Sequence, residues 1–267
     1  MSNRNKSISA CFIEPVGAHV GHEAYDINLC RAITLSDTNM SYYTCDETNI
    51  PDNIPFRMKC TYKDIYGTGS VLKRGLRFLW GTLMSLIDAR GQGARLAHFY
   101  YFKMGLLETY NLVMAKLMGF KTVITSNDIE PFFTRVIDRP FERLVYWATD
   151  GIVVHNETSR TELIRRFPHL ERKIRVIHHG NFISNVDHKP TKSESREKLN
   201  LPQDKPIVLF FGQIKDVKGV DVLLEAMPMI VKKIPGATAV IAGKVWKTSF
   251  DKYQEIIDRT DMNQHCI

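Results

Sequence analysis

The sequence predicts an α/β protein in which parallel strands alternate with helices. Apolar runs of strand length alternate with stretches of helical periodicity through most of the 267 residues. A polar segment with three prolines interrupts this alternation before it starts again. We therefore predict a complete doubly wound, Rossmann-like domain over residues 1–185, a linker over 186–206, and the first β-α-β-α part of a second domain over 207–267.

The elements of the first domain follow in a regular order. Apolar or alternating runs predict its strands at "SISACFIEP", "MSYYTCDE", "FRMKCTY", "ARLAHFYYF", "FKTVITS", "GIVVHN" and "KIRVIHHG". Helical spacing predicts its helices at "HEAYDINLCRAI", at Val71 to Ile87, from Leu106 to Leu117, at "PFFTRVIDRPFERLVYWA" and at "SRTELIRRF". We expect the fourth helix to bend near Pro140, and Thr158 or Ser159 to cap the fifth.

The second domain starts with a buried strand and contains two strand–helix pairs. "IVLFF" and "ATAVIA" read as strands, while "VDVLLEAMPMIV" and "SFDKYQEIIDRT" read as helices. Two parallel strands leave one sheet edge unpaired and much apolar surface uncovered.

Composition limits the classes of partner and cofactor. The net charge of +7 favours anionic partners such as nucleotide phosphates or an acidic membrane surface. The five cysteines form no C-x-x-C pair, and the histidines show no ligand spacing, so no metal site is predicted and a reducing compartment is favoured. With no signal peptide and no apolar run of spanning length, a cytoplasmic location is expected. No motif of a nucleic-acid reader is present.

Two turns have the composition of anion-binding loops. After the strand "IVLFF" come Gly212, Lys215, Lys218 and Gly219, at the carboxyl end of a strand and before a helix, where free amides favour anions. This turn is not a Walker A loop, because the glycine and the lysine stand in the reverse order and no hydroxyl follows. The turn after the first strand, "EPVGAHVGHE", carries Gly17 and Gly21.

Several ordered motifs together resemble one family. "KIRVIHHGNF", "SREKLNLP", "VLFFGQIKDVKGVDVLLEAM" and "ATAVIAGK" are similar to segments of retaining glycosyltransferases of family 4, glycosyl transferases group 1, which have the GT-B fold. "TSNDIEPF" and "GIVVHNETS" resemble that family's "T-x-H-N-x-x-P-H" and "V-V-H-S" segments. The resemblance runs with gaps from about residue 8 to 255 and is strongest from 174 to 244.

The resemblance implies transfer of a sugar from a nucleotide-sugar to a polysaccharide or lipid-linked acceptor, with retention of configuration and without a metal ion or other cofactor. It places Lys218 at the donor diphosphate, with Lys215 where relatives have an arginine. Gln213 replaces another arginine of relatives. It also places Gly17 and Gly21 near the donor phosphates or the acceptor.

Three departures bear on activity. Asn127 stands where the family has a histidine and cannot titrate. His98, at the end of the preceding strand, resembles a family site histidine, although a packed core histidine is the simpler interpretation. The family's downstream E-x7-E segment, which contacts the donor, is missing from the 267 residues, so we expect a C-terminally truncated chain with weak or no turnover.

The helix Val71 to Ile87 is basic and aromatic. Lys73, Arg74, Arg77 and Trp80 make it a candidate for docking on an anionic membrane at the inner face, since cations meet headgroups while aromatics enter the interface. The alternative is an ordinary helix packed on the sheet; burial of Phe78 and Trp80 would favour that alternative.

Two other classes of function remain open. One is a non-catalytic binding module that pairs with a partner chain or a membrane. The other is a different GT-B enzyme, such as a nucleotide-sugar epimerase.

Overall fold

The chain forms two compact units, Met1–Asn185 and Val186–Ile267, in a computed structural model that describes residues 8–127, 138–180, 189–246 and 249–267. The first unit contains a seven-stranded sheet and the second a two-stranded sheet. The predicted α/β fold class is confirmed.

The sheet of the first unit is parallel throughout, in the order β3-β2-β1-β4-β5-β6-β7. Its strands are β1 (Ser9–Ile13), β2 (Asn39–Cys45), β3 (Arg57–Tyr62), β4 (Leu96–Tyr101), β5 (Lys121–Ser126), β6 (Gly151–Val154) and β7 (Ile174–Val176). From β1 the chain builds outward to β3, and from β4 it builds outward in the opposite direction. This reversal places a topological switch point between β1 and β4, where open α/β sheets bind their ligands.

Helices cover both faces of this sheet. They are α1 (Glu23–Thr34), α2 (Val71–Gly91), α3 (Leu106–Leu117), α4 (Arg139–Ala148) and α5 (Glu157–Arg166). Alternate residues of β1 enter different cores: Cys11 and Ile13 pack with the layer of α2 to α5, whereas Ala10 and Phe12 pack with α1. Because strand side chains alternate between faces, an apolar strand of this kind is buried on both sides.

Two local expectations concern helices of the first unit. Pro140 lies in the first turn of α4, where its missing N–H costs nothing. The bend predicted near it involves residues 128–137, which lie outside the described residues, so it stays a prediction. Helix α5 is capped by Asn156, whose side-chain oxygen accepts the backbone N–H of Ser159 at 2.7 Å, and not by Thr158 or Ser159.

The second unit contains α6 (Lys192–Lys198), β8 (Ile207–Phe211), α7 (Val220–Lys233), β9 (Thr238–Ala242) and α8 (Asp251–Arg259). Strands β8 and β9 are parallel, and α7 and α8 share a small core with Ile214. The backbone of Ile267 hydrogen-bonds Ala239 and Ile241, so residues 266–267 add a further parallel partner beside β9. Leu209 and Phe211 of β8 are 61% and 83% exposed, as expected for uncovered apolar sheet surface.

Candidate functional site

The turn after β1 is organised by one buried carboxyl group. Glu14 accepts the backbone N–H of Val16 at 2.9 Å and also that of Gly17. Gly21 donates its N–H to the carbonyl oxygen of Ala18. The amides of both predicted loop glycines therefore have internal acceptors in this conformation.

Gly17 has a structural requirement that the sequence did not reveal. Its φ is +47°, and a Cβ atom there would lie 2.2 Å from Thr48 Oγ1 and 2.4 Å from Thr44 Oγ1. Any other residue would strain the backbone here and press its Cβ against these two threonine side chains.

A pair of buried acids lies beneath this turn. Burial, together with the charge of Asp26, raises the pKa of Glu14 to about 8, against lowering contributions from the backbone N–H groups of Gly17 and Val16. Burial likewise raises the pKa of Asp26 to about 7, against a lowering contribution from its hydrogen bond with Tyr42, whose hydroxyl donates to Asp26 Oδ2 at 2.8 Å. Both groups are thus shifted toward their neutral forms, because the interior disfavours the carboxylate.

His22 connects the acid pair to the surface. Its Nδ1 lies 3.2 Å from Asp26 Oδ1, and its side chain is 16% exposed while that of Asp26 is fully buried. Burial lowers the pKa of His22, so a neutral ring is favoured. The imidazole contacts the rings of Tyr100 and Phe102 at centroid distances of 4.5 Å and 5.1 Å.

Two more histidines, which follow strands β6 and β7, contact the aromatic residues beside His22. We call the group His22, Tyr25, Tyr100, His155 and His179 the histidine–tyrosine cluster. His155 and His179 have ring centroids 5.0 Å apart, and Tyr25 lies 4.6 Å from His179 and 5.7 Å from His155.

One hydrogen bond of His155 determines the tautomer of its ring. Its Nδ1 lies 2.9 Å from the carbonyl oxygen of Ile177, so Nδ1 carries the proton and Nε2 has the free lone pair. Nε2 is buried and has no hydrogen-bond partner among the described residues. The pKa of His155 is lowered by burial and by His179 and His22. A buried acceptor without a donor is costly, so a ligand hydroxyl or water would satisfy it.

The two predicted catalytic residues lie next to this cluster. His98 is buried in β4, with Nε2 2.8 Å from Thr125 Oγ1 and its ring against Phe12 at 5.1 Å. Burial lowers the pKa of His98 to about 4. Asn127 accepts the hydroxyl of Tyr100 at 2.7 Å. His98 thus has the surroundings of a packed core residue, whereas Asn127 orients a member of the cluster.

In the second unit, the turn after β8 joins the one after β9. Gly212 N donates to Ala242 O at 3.0 Å, Ile214 N to Lys244 O at 3.0 Å, and Trp246 N to Ile214 O at 3.2 Å. Parallel pairing therefore continues past both strands. Gly212, with φ of +143°, passes so close to Gly243 that a Cβ on Gly243 would lie 1.7 Å from the carbonyl oxygen of Gly212.

The predicted diphosphate turn presents two lysines at this edge. Lys215 Nζ lies 4.8 Å from the ring centroid of Trp246, a cation–π contact. Lys218 is exposed, and Gly219 takes φ of +70° to start α7. The one carboxylate of the turn, Asp216, is held by Lys252 and by the Tyr253 hydroxyl, the latter at 3.4 Å. The turn thus carries more positive than negative charge at the N-terminus of α7.

Helix α2 directs apolar side chains outward. Leu76 and Trp80 are 57% and 62% exposed, whereas Phe78 is half-buried against Tyr62. Of the predicted docking cations, Arg74 donates to Gly67 O at 2.9 Å and Arg77 to Asp64 O at 3.2 Å.

An open groove of about 570 Å³ beside α2 has Lys63, Leu76, Arg77 and Trp80 in its lining. Lys73 is exposed on the same helix. No helix in the described part of the chain is long and apolar enough to cross a membrane. Among the described residues no group of three or more histidines, cysteines and acids could hold a metal ion.

Several solved structures share the fold of this chain. A glycosyltransferase from Rickettsia africae matches 98% of the chain with a TM-score of 0.68 at 14% identity, and the chain covers 68% of it. Anabaena Alr3699/HepE in complex with UDP-glucose matches 97% with a TM-score of 0.65 at 15% identity, again over 68% of that protein. The fold is that of GT-B glycosyltransferases, as predicted.

The same fold is shared by enzymes of another class. UDP-GlcNAc 2-epimerase from Methanocaldococcus jannaschii matches 97% of the chain with a TM-score of 0.60 at 13% identity, and the chain covers 72% of it. At such identities the likeness establishes the fold and not the reaction.

Sequence comparison is more specific for the second unit. Residues 191–267 match the family described as glycosyl transferases group 1. The D-inositol 3-phosphate glycosyltransferase of Streptomyces avermitilis is 30% identical over 94 residues, or 35% of this chain and 20% of that protein. The enzyme of the same name from Streptosporangium roseum is 32% identical over 114 residues, or 42% of the chain and 25% of that protein. The matches span only a fifth to a quarter of these relatives, and together with the fold they support a glycosyltransferase.

Sequence reasoning missed several members of both sites. Glu14 and His22 belong to the turn after β1, but their roles depend on Asp26 and Tyr42, which come close to them only in the folded chain. His155 and His179 end two different strands, so the rule that parallel strands share a carboxyl edge could have found them. Trp246 gave no signal, because its contact with Lys215 joins two loops.

Proposed function

We propose that this chain is a retaining glycosyltransferase, or the larger part of one, which moves a sugar from a nucleotide-sugar to a polysaccharide or lipid-linked acceptor. The observation that carries the proposal is the turn from Gly212 to Gly219. It lies within the segment that matches glycosyl transferases group 1, and it presents exposed lysine at a helix N-terminus. No metal ion is required in this proposal, because cations of the chain would offset the charge of the leaving diphosphate.

The donor diphosphate would bind at this turn. Lys218 supplies a point charge, and the first amides of α7 have no intrahelical acceptors, so they favour an anion. Gly212 lets the backbone approach a ligand without a side chain in the way. Asp216 opposes binding less than an unpaired carboxylate would, since Lys252 holds it.

The acceptor would bind at the histidine–tyrosine cluster of the first unit. Aromatic rings suit the apolar face of a sugar, and the free lone pair of His155 Nε2 suits a hydroxyl group. The lowered pKa values of His22 and His155, with the raised pKa values of Glu14 and Asp26, reduce the charge of this region at neutral pH. These properties favour an uncharged, hydroxylated ring over a phosphate group at this position.

Calorimetric titration with UDP and UDP-glucose tests the donor site. We expect binding by the wild-type chain and a loss of roughly tenfold or more in affinity for Lys218→Ala, because a hydrogen bond to a charged group contributes about 1.5–3 kcal/mol. Lys232→Ala, an exposed lysine near the other end of α7, is the matched control and should leave affinity unchanged. Equal binding by both variants would refute the assignment of the turn.

Turnover tests the reaction class. We expect any product to retain the donor's anomeric configuration by NMR, and addition of EDTA to change neither donor binding nor the product. An inverted product would contradict retention. Donor binding without any transfer would favour the non-catalytic module.

Epimerisation is a second candidate, favoured by the structural likeness to UDP-GlcNAc 2-epimerases. It predicts inversion of the sugar at C2 when UDP-GlcNAc is incubated with the protein and no acceptor. Proton NMR of the nucleotide-sugar distinguishes the candidates, since a transferase leaves C2 unchanged.

A peripheral membrane association through α2 is part of the proposal. Exposed Leu76 and Trp80 beside Lys73 support it, although Arg74 and Arg77 are engaged with backbone carbonyl groups. Sedimentation with vesicles of phosphatidylcholine and phosphatidylglycerol should recover the wild type but less of Trp80→Ser. Trp147→Ser is the control, because Trp147 is similarly exposed on α4. Equal recovery of both variants would argue against docking through α2.

A further inference from the structure

We propose that Trp246 is a positioning residue for Lys215 in the donor site, and that its ring holds the lysine ammonium ready for a nucleoside diphosphate. This inference rests on the proposed function of the turn after β8. It concerns a residue that neither the motifs nor the comparisons single out. The contact that carries it is the 4.8 Å distance from Lys215 Nζ to the ring centroid of Trp246.

The two residues are fixed by their backbones rather than by chance encounter of two surface side chains. Ile214, which is 3% exposed, packs in the core of the second unit with Val220, Leu224 and Tyr253. It also exchanges hydrogen bonds with the opposite loop, accepting the N–H of Trp246 and donating its own to Lys244 O. Lys215 and Trp246 therefore project from adjoining, mutually bonded segments.

The contact solves a problem specific to lysine. A lysine side chain has four carbons between Cα and the ammonium, and restraining it costs rotamer entropy. A guanidinium would be planar and pre-organised, but an ammonium needs an external support to hold its position. The Trp246 ring supplies that support before the ligand arrives.

The geometry leaves the ammonium able to bind an anion at the same time. An ammonium has three N–H donors, and a ring face is contacted from one side only, so donors remain for phosphate oxygens. The ring is uncharged and does not compete as a carboxylate would. The carboxylate of this turn, Asp216, is engaged with Lys252 and Tyr253.

The expected effect is modest and measurable. A cation–π contact at a partly exposed site is worth about 0.5–1 kcal/mol, which corresponds to a two- to fivefold change in a dissociation constant. We expect Trp246→Leu to weaken UDP and inorganic pyrophosphate binding by about two- to fivefold, and Trp246→Phe, which keeps a ring, to stay within about twofold of the wild type. In a Lys215→Met background, Trp246→Leu should have no further effect.

A spectroscopic measurement separates positioning from general destabilisation. With Trp80 and Trp147 replaced by phenylalanine, Trp246 is the only tryptophan, since the sequence contains three. Its fluorescence should change on addition of pyrophosphate, and this change should disappear in Lys215→Met. The ε-methylene protons of Lys215 should also show an upfield ring-current shift by NMR that is absent in Trp246→Leu, with or without ligand.

The outcomes for the inference and for the proposed function are distinct. If UDP binds in a Lys218-dependent manner but Trp246→Leu binds as tightly as the wild type or more tightly, the positioning role is wrong and the donor site stands. If the wild type binds neither UDP nor pyrophosphate, the donor site and the inference both fail. A thermal melt of each variant excludes unfolding as the cause of lost binding.

Discussion

Replacing Gly243 by alanine tests the joint between the two loops of the second unit. The new Cβ would lie 1.7 Å from the carbonyl oxygen of Gly212, so the two backbones would have to separate by about 1.3 Å to reach 3.0 Å. Neither partner is a flexible side chain. Overpacking of this kind typically costs about 1–3 kcal/mol, and it would displace the strand end from which the lysine turn starts.

We therefore expect Gly243→Ala to lower the melting temperature of the second unit and to weaken UDP binding by an order of magnitude or more, because misplacement of about 1 Å is enough to disrupt a bound geometry. Gly75→Ala is the matched control: Gly75 lies within α2, nothing stands within 4 Å of its would-be Cβ, and alanine there should add about 0.5–1 kcal/mol of stability. Calorimetry and circular dichroism provide the measurements. If Gly243→Ala has the melting temperature and the UDP affinity of the wild type, the close packing of Gly243 on Gly212 is not required for stability or binding.

Three further predictions concern the first unit. Because burial raises the pKa of Glu14 from 4.5 to about 8, the folded chain keeps a proton between these pH values that the unfolded chain releases. The free energy of unfolding should therefore fall by up to about 1.4 kcal/mol per pH unit as the pH rises through this range, and Glu14→Gln should reduce this slope in urea titrations. Partial burial opposes ionisation of Asp150, but two lysines and a backbone amide hold the pKa of this carboxyl below its usual range. Asp150→Asn should therefore lower the free energy of unfolding by about 1 kcal/mol at pH 7 and by progressively less as the pH falls below 3.8. An equal loss at pH 7 and at low pH would contradict the ion-pair account. Gly81→Ala should destabilise α2, since its Cβ would lie 2.7 Å from Tyr62 Cδ1, whereas Gly75→Ala in the same helix should not; equal melting temperatures would show that Tyr62 yields without cost.

The order of elements could be predicted well because it depends on local patterns. The inner strands β1, β4 and β6 are short runs that are buried on both faces, and a run of this kind is visible without knowing its neighbours. Helix ends were less accurate. Asn156 rather than Thr158 caps α5, because the choice among several capping residues depends on where the preceding strand ends.

The site residues likewise include some that could be located from the sequence and some whose surroundings only the fold shows. Lys218 and Gly219 could be located from the sequence, since a strand, a glycine and a lysine before a helix lie within one short segment. The position of His98 in a strand was equally apparent, but its burial and its bond to Thr125 come from a neighbouring strand. The loop glycines Gly17 and Gly21 were recognised from the sequence, whereas the close approach of Gly17 to Thr44 and Thr48 is visible only in the folded chain.

The sequence by itself determined the alternation of strands and helices, the repeat of that pattern after residue 206, and the lysine turn of the second unit. All of these are properties of neighbouring residues, where spacing fixes which side chains share a face. Only the tertiary structure decided that Glu14 and Asp26 are buried together, that His22, His155 and His179 meet at one edge, and that Lys215 lies on Trp246. Those contacts join residues from separate loops, and their energies depend on burial and distance, which a linear pattern does not contain.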